Sequence, residues 1–195
     1  MKRSSLAFTL IELLVVIAII GILAALALPA ITGALARGQM TQTLSNMRQL
    51  HLATQQMALD GTTTGDPALC WPGDAAPNAT WAAWAGNLVP SYLTLSDFSK
   101  LLSAPGVIRD PAAAAAAKGT TAINVYAVSE NDPGNTIFLS SANWTAGVAL
   151  DPTKKPYGDK GFIVFHKAGD GAVLLPKQFN NDKIYGQVPA KGQLQ

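Results

Sequence analysis

Phe8-Thr9-Leu10-Ile11-Glu12, followed at once by the apolar run Leu13–Leu28, decides how this chain is read. Lys2 and Arg3 precede it, and after Glu12 no charged residue occurs before Arg37. An α-helix rises about 1.5 Å per residue, so roughly 20 apolar residues cross the hydrocarbon core of a bilayer. The uncharged stretch Leu13–Ala36 is long enough to do so. A carboxylate at the head of such a segment is costly unless an opposite charge or a donor meets it. Glu12 is therefore a functional candidate; solvation at headgroup level is the alternative.

Composition narrows the rest. The chain has 195 residues, with 14 basic and 12 acidic side chains. That length allows one membrane helix and one domain of ordinary size. Without Lys2 and Arg3 the charges balance, so the basic excess lies ahead of the apolar run. This predicts a single-pass orientation with the N-terminus cytoplasmic and the domain outside. A balanced domain gives no support for nucleic-acid binding. Cys70 is the one cysteine, so the exported domain holds together without an internal disulfide. A cleaved secretory signal ending at Ala25-Leu26-Ala27 competes for the N-terminus. Glu12 inside the apolar segment, and a helical pattern that continues beyond the cut, argue against it.

From Ile31 the pattern turns amphipathic. Ile31, Leu35, Met40, Leu44, Met47, Leu50, Thr54 and Met57 recur at mostly helical spacing, with polar residues on other faces. One helix from about Phe8 to Leu59 is predicted, ending at the turn pair Asp60-Gly61. Pro29 lacks an amide hydrogen and should kink or loosen it. Short helices are predicted at Thr80–Leu88, at Asp97–Ser103 behind a Ser96 cap, and over Ala112–Ala117 behind Asp110-Pro111. From Thr120 the texture is β: Ala122–Val128, Asn135–Ser140, then Lys160–His166 and Ala172–Pro176 around the hairpin turn Lys167–Gly171. Phe179, Ile184, Tyr185 and Val188 could complete an edge. The fold class is α+β, one long helix whose amphipathic half lies across an antiparallel sheet of three to four strands.

The basic leader Met1–Ala7, the motif Phe8–Glu12, the apolar run and Pro29 together resemble the type IV pilin and type II secretion pseudopilin family. That resemblance implies cleavage by a prepilin peptidase between Ala7 and Phe8 and N-methylation of Phe8. Alanine at position 7 departs from the family's usual glycine. It implies further that Glu12 meets the N-terminal amine of a neighbouring subunit, and that Pro29 sits at the family's usual place in the assembly helix. The chain then divides into a leader (1–7), a membrane and filament-core helix (8–30), its amphipathic continuation (31–59) and an exported pilin-like domain (60–195). Partners implied are copies of itself, related pseudopilins, the peptidase, an assembly platform and the inner membrane. The leading expectation is a secretion pseudopilin. A minor tip pilin binding cargo or DNA comes second, and a signal-anchored periplasmic enzyme third.

Little in the sequence suggests chemistry. His51 and His166 are far apart, and neither sits at metal-ligand spacing. A set of Ser140 or Ser141, His166 and Asp170 can be written down, but such triads are recognised by geometry. No enzyme activity and no cofactor are expected. Some pseudopilins bind calcium in a C-terminal loop, and Asp159, Asp170, Asn180, Asn181 and Asp182 carry the hard oxygens it prefers. Trp71, Trp81, Trp84 and Trp144 are expected in the core, with an exposed partner surface as the alternative. The sequons Asn78-Ala79-Thr80 and Asn143-Trp144-Thr145 carry little weight.

Overall fold

A computed structural model describes residues 9–74, 80–107, 121–146, 148, 150–178 and 185–194. The chain divides into two compact units, one up to Gly38 and one from Gln39 onward. Helix α1, Leu10–Thr64, contributes to both.

In the first unit α1 runs unbroken through Pro29, where the Thr32 hydroxyl donates to the Pro29 carbonyl at 3.0 Å. Its large apolar side chains stand exposed, from Leu10 and Ile11 to Leu28, Ile31 and Leu35. Ile31 and Leu35, expected in the packed stripe, are each 60% exposed. Of the large side chains expected in the stripe, Met40 is the first that is buried.

In the second unit Met40, Thr43, Met47, Leu50, Thr54 and Met57 are all buried, at alternating steps of three and four. That spacing keeps one face of a helix against one surface. Its two polar members are satisfied, as burial requires. Thr43 shares a 2.6 Å hydrogen bond with the Tyr157 hydroxyl. Thr54 donates to the Leu50 carbonyl at 2.9 Å and accepts the Trp84 indole N–H at 3.2 Å.

The helix does not end at Asp60-Gly61 but runs one turn further, to Thr64. The Thr62 and Thr63 hydroxyls donate to the Leu59 carbonyl and that of Thr64 to the Asp60 carbonyl. Gly65, at φ +75°, then closes the helix with its N–H on the Gly61 carbonyl at 2.9 Å. Gly61 serves close approach: a Cβ there would lie 1.7 Å from the Leu69 carbonyl oxygen.

Helix α2, Trp81–Leu88, begins at Thr80, whose hydroxyl accepts the Ala83 N–H at 3.2 Å. Helix α3, Leu95–Leu101, is capped by Thr94 and not by Ser96. Thr94 stands three residues ahead of Asp97, so its hydroxyl both accepts the Asp97 N–H at 3.1 Å and donates to the Asp97 carboxylate at 2.7 Å. The predicted alanine-rich helix lies outside the described residues.

The sheet is a four-stranded antiparallel meander, β1 (Ile123–Val125), β2 (Ile137–Ser141), β3 (Phe162–His166) and β4 (Gly171–Leu174), in sequence order. Ile123 pairs with Ser141, Leu139 with Phe165, and Phe165 with Gly171. Between Ile137 and Leu139 the register shifts, a bulge centred on Phe138. One extra residue on β2 turns Phe138 and Leu139 to the same side. Both enter the core with Met47, Leu50, Ile163 and Phe165. On the opposite side Tyr126, Ile137, Phe162 and Val164 are covered by Trp144, Leu150 and Tyr185. β1 to β3 are thus buried on both faces, while β4 is partly exposed.

All four tryptophans are buried. The expected edge around Val188 is replaced by isolated bridges, Thr136 with Gln187 and Tyr126 with Gln193. Phe179 and Ile184 lie outside the described residues.

Candidate functional site

Leu10, Ile11 and Glu12 open the first turn of α1. Thr9 is the residue before the helix, and its hydroxyl accepts the Glu12 N–H at 3.3 Å. In return the Glu12 Oε2 accepts the Thr9 N–H at 2.9 Å and the Thr9 hydroxyl at 2.6 Å. This is a reciprocal capping box, a threonine followed three residues later by a glutamate. Its signal stands in the sequence as Thr9-Leu10-Ile11-Glu12, overlaid by the apolar run that follows. Ala7 and Phe8 lie outside the described residues.

Beyond Glu12, α1 is long and apolar enough to cross a membrane, and none of that segment is buried within the subunit. Leu13, Leu14, Ile17, Ile20 and Leu23 are all more than half exposed. Each large apolar side chain left in water forgoes about 1.5–3 kcal/mol of burial. A continuous exposed surface of this kind belongs in lipid or against a partner.

The other candidate residues do not converge. His51 is buried among Trp71, Phe138 and Phe165, with Nε2 2.7 Å from the Lys167 carbonyl. Burial holds its imidazole below the usual pKa, and the carbonyl bond opposes that only in part. It joins helix to sheet, the packing role its place between Leu50 and Leu52 suggests. His166 pairs through Nδ1 with Asp170 at 2.7 Å, while its Nε2 meets the Tyr185 carbonyl at 2.7 Å. Ser140 is engaged with the Trp144 carbonyl and Ser141 with the Ile163 N–H. With both His166 nitrogens and both hydroxyls committed, the written triad is not assembled.

Asp159 is exposed on a short 3-10 turn, Gly158–Lys160. Among the described residues no three His, Cys, Asp or Glu side chains are grouped to hold a metal. Asn180, Asn181 and Asp182 lie outside them. Asn143 is buried and donates to the Gly158 and Gly161 carbonyls, so that sequon is closed. Cys70 is half-buried, and burial, then the Asp74 charge, push its thiol pKa up. A groove of about 640 Å³ runs beside Leu52, Gln55, Leu59, Trp71, Glu130 and Lys167. Of all these features, the capped acid heading an exposed apolar helix stands out.

Residues 2–28 match the family model described as the prokaryotic N-terminal methylation motif. A type IV major fimbrial protein, FimA of Dichelobacter nodosus, is 32% identical over 149 residues, 76% of this chain and 79% of that protein. The chain belongs to the type IV pilin-like family. A second FimA of the same organism is 42% identical over 71 residues, 36% of this chain and 46% of its own length. A probable minor fimbrial protein of D. nodosus is 49% identical over 57 residues, 29% of this chain and 36% of that protein. These shorter matches span less than half of either relative. No solved structure matches the chain. As a pilin-like filament subunit, it carries an N-terminal helix long and apolar enough to cross a membrane.

Proposed function

We propose that this pilin is made as a membrane-held precursor, cut between Ala7 and Phe8, N-methylated on Phe8, and assembled through the helix headed by Glu12. The observation that carries this reading is a carboxylate at the start of a helix whose apolar side chains are left bare by the subunit. In a filament those surfaces pack on neighbouring copies, and Glu12 meets the amine of an adjacent chain. Lys2 and Arg3 hold the leader in the cytoplasm, so the domain lies on the periplasmic side. Pro29 leaves the Ala25 carbonyl without a helical N–H, giving the segment a place to yield during extraction.

The fimbrial relatives support a type IV pilus as the filament. The type II secretion pseudopilin expected from the sequence shares the same N-terminal chemistry and is the competing outcome of the test. The deciding measurement is the intact mass and N-terminal sequence of the protein from membranes, with and without prepilin peptidase. A methylated start at Phe8 that depends on the peptidase is expected. A start after Ala27 would make the product a secreted soluble domain, and the role of Glu12 would fall. Immunogold labelling then separates the two filaments. Long labelled surface fibres mean a pilus, whereas loss of an exported protein without such fibres means a pseudopilin.

A further inference from the structure

We propose that Thr9 is the positioning residue for Glu12, holding its carboxylate for the neighbouring subunit's amine. The inference rests on the assembly role of Glu12 proposed above. Three hydrogen bonds link the pair, and both bonds to the carboxylate converge on Oε2. Among the described residues no hydrogen bond engages Oε1. The cap therefore fixes the side chain through one oxygen and leaves the other for an incoming donor.

The surroundings make this arrangement matter. Leu10 and Ile11, the residues between the pair, are 81% and 69% exposed, so the box is flanked by apolar side chains that shed water once lipid or a neighbouring helix covers them. A glutamate has three side-chain torsions, and without the cap its carboxylate would sample many directions at the helix start. Bonds to an ionised acceptor are short and strong, and they gain weight where water is scarce. Cleavage before Phe8 would spare both donors, because the Thr9 amide belongs to the Phe8–Thr9 peptide and the hydroxyl to Thr9 itself. The same box then serves the precursor in the membrane and the mature subunit in the filament.

The test compares T9V, which keeps the shape and loses the hydroxyl, with T9S, which restores it, each in wild-type and Glu12→Gln backgrounds of the full chain. Membrane level and the processed N-terminus are measured by mass, and assembly by the sheared filament fraction. T9V should lower the assembled fraction about fivefold, the factor that loss of an ordinary N-cap gives. T9S should retain it, and T9V should add nothing to the loss caused by Glu12→Gln. Wild-type assembly by T9V, alongside failure by Glu12→Gln, overturns the positioning role and leaves the proposed function standing. Normal assembly by Glu12→Gln overturns both. Should T9V block processing, the ¹³C carboxyl resonance of Glu12 in detergent micelles decides. A shift in T9V that T9S reverses supports the cap, and an unmoved resonance refutes it.

Discussion

Phe138 sits where α1, the sheet, α2 and the Trp71 loop meet. Its ring is fully buried, with centroids 5.4 Å from Trp71, 6.0 Å from His51 and 6.4 Å from Trp84. The bulge on β2 turns it to the helix side beside Leu139. Phe138→Ala removes a ring that these neighbours cannot follow, because Trp71 and Trp84 are themselves pinned by Lys167 and Thr54. A buried Phe→Ala change costs about 3–5 kcal/mol through lost transfer energy and the cavity left behind. For a chain of 195 residues each kcal/mol lowers Tm by about 2–4 °C, so a fall of roughly 6–20 °C follows. The assay is thermal unfolding of the processed chain in nonionic detergent, followed by near-ultraviolet circular dichroism, which reads tryptophan packing. Leu52→Ala is the control: Leu52 lies on the same unit but is 57% exposed, and its loss should stay within about 0.5 kcal/mol. A Phe138→Ala protein that melts within about 2 °C of wild type, or no lower than Leu52→Ala, would refute the placement of Phe138 at the centre of the core.

Acid should act on the domain through His51. Its folded pKa lies below the usual value of about 6.5, so below that pH the unfolded chain takes up a proton that the folded chain refuses. Stability is therefore full above about pH 6.5 and declines as pH falls toward the folded pKa. Tm measured across this range should fall more steeply in wild type than in His51→Gln, and parallel curves would contradict the assignment. Gly61→Ala should destabilise by about 1–3 kcal/mol, since its Cβ would collide with the Leu69 carbonyl. Gly86→Ala, in α2 with nothing within 4 Å, should stabilise by about 0.5–1 kcal/mol. Denaturant midpoints of the pair check both signs. Pro29→Ala should stiffen α1, by about 3 kcal/mol on helix propensity, and slow amide exchange around it. Unchanged filament yield in that variant would remove the extraction role proposed for Pro29.

The N-terminal helix was legible because its signals are redundant: a run without charge, an acid at its head, then helical spacing over Met40–Met57. The hairpin between β3 and β4 was legible from Lys167–Gly171, where turn chemistry is local. The misplaced features depend on groups distant in sequence or on competition between neighbouring caps. Asp60-Gly61 reads as a stop, yet the helix runs past it to close at Gly65, and Gly61 is there for the close approach of the Leu69 carbonyl, which lies eight residues on. Ser96 and Thr94 both resemble caps, and only Thr94 has an acid three residues on. The bulge at Phe138 has no local signature, because burial on both faces removes the alternation that would expose a register shift. At the candidate site, Glu12 is legible from the cost of its charge, whereas the role of Thr9 depends on the backbone turn that brings its hydroxyl to the carboxylate.

The short fourth strand has a consequence for a filament subunit. A sheet edge offers unpaired amides and carbonyls to any second copy it meets. Among the described residues β4 pairs only with β3. It spans four residues, opens on Gly171, and gives way at once to a turn over Pro176–Gln178 carrying Lys177. Proline cannot donate to a ladder, and a lysine at the margin resists stacking. The β4 edge is thus too short and too interrupted to recruit another chain by strand addition. Polymerisation through stray cross-strand pairing, the amorphous alternative to an ordered fibre, is blunted where the sheet would otherwise invite it.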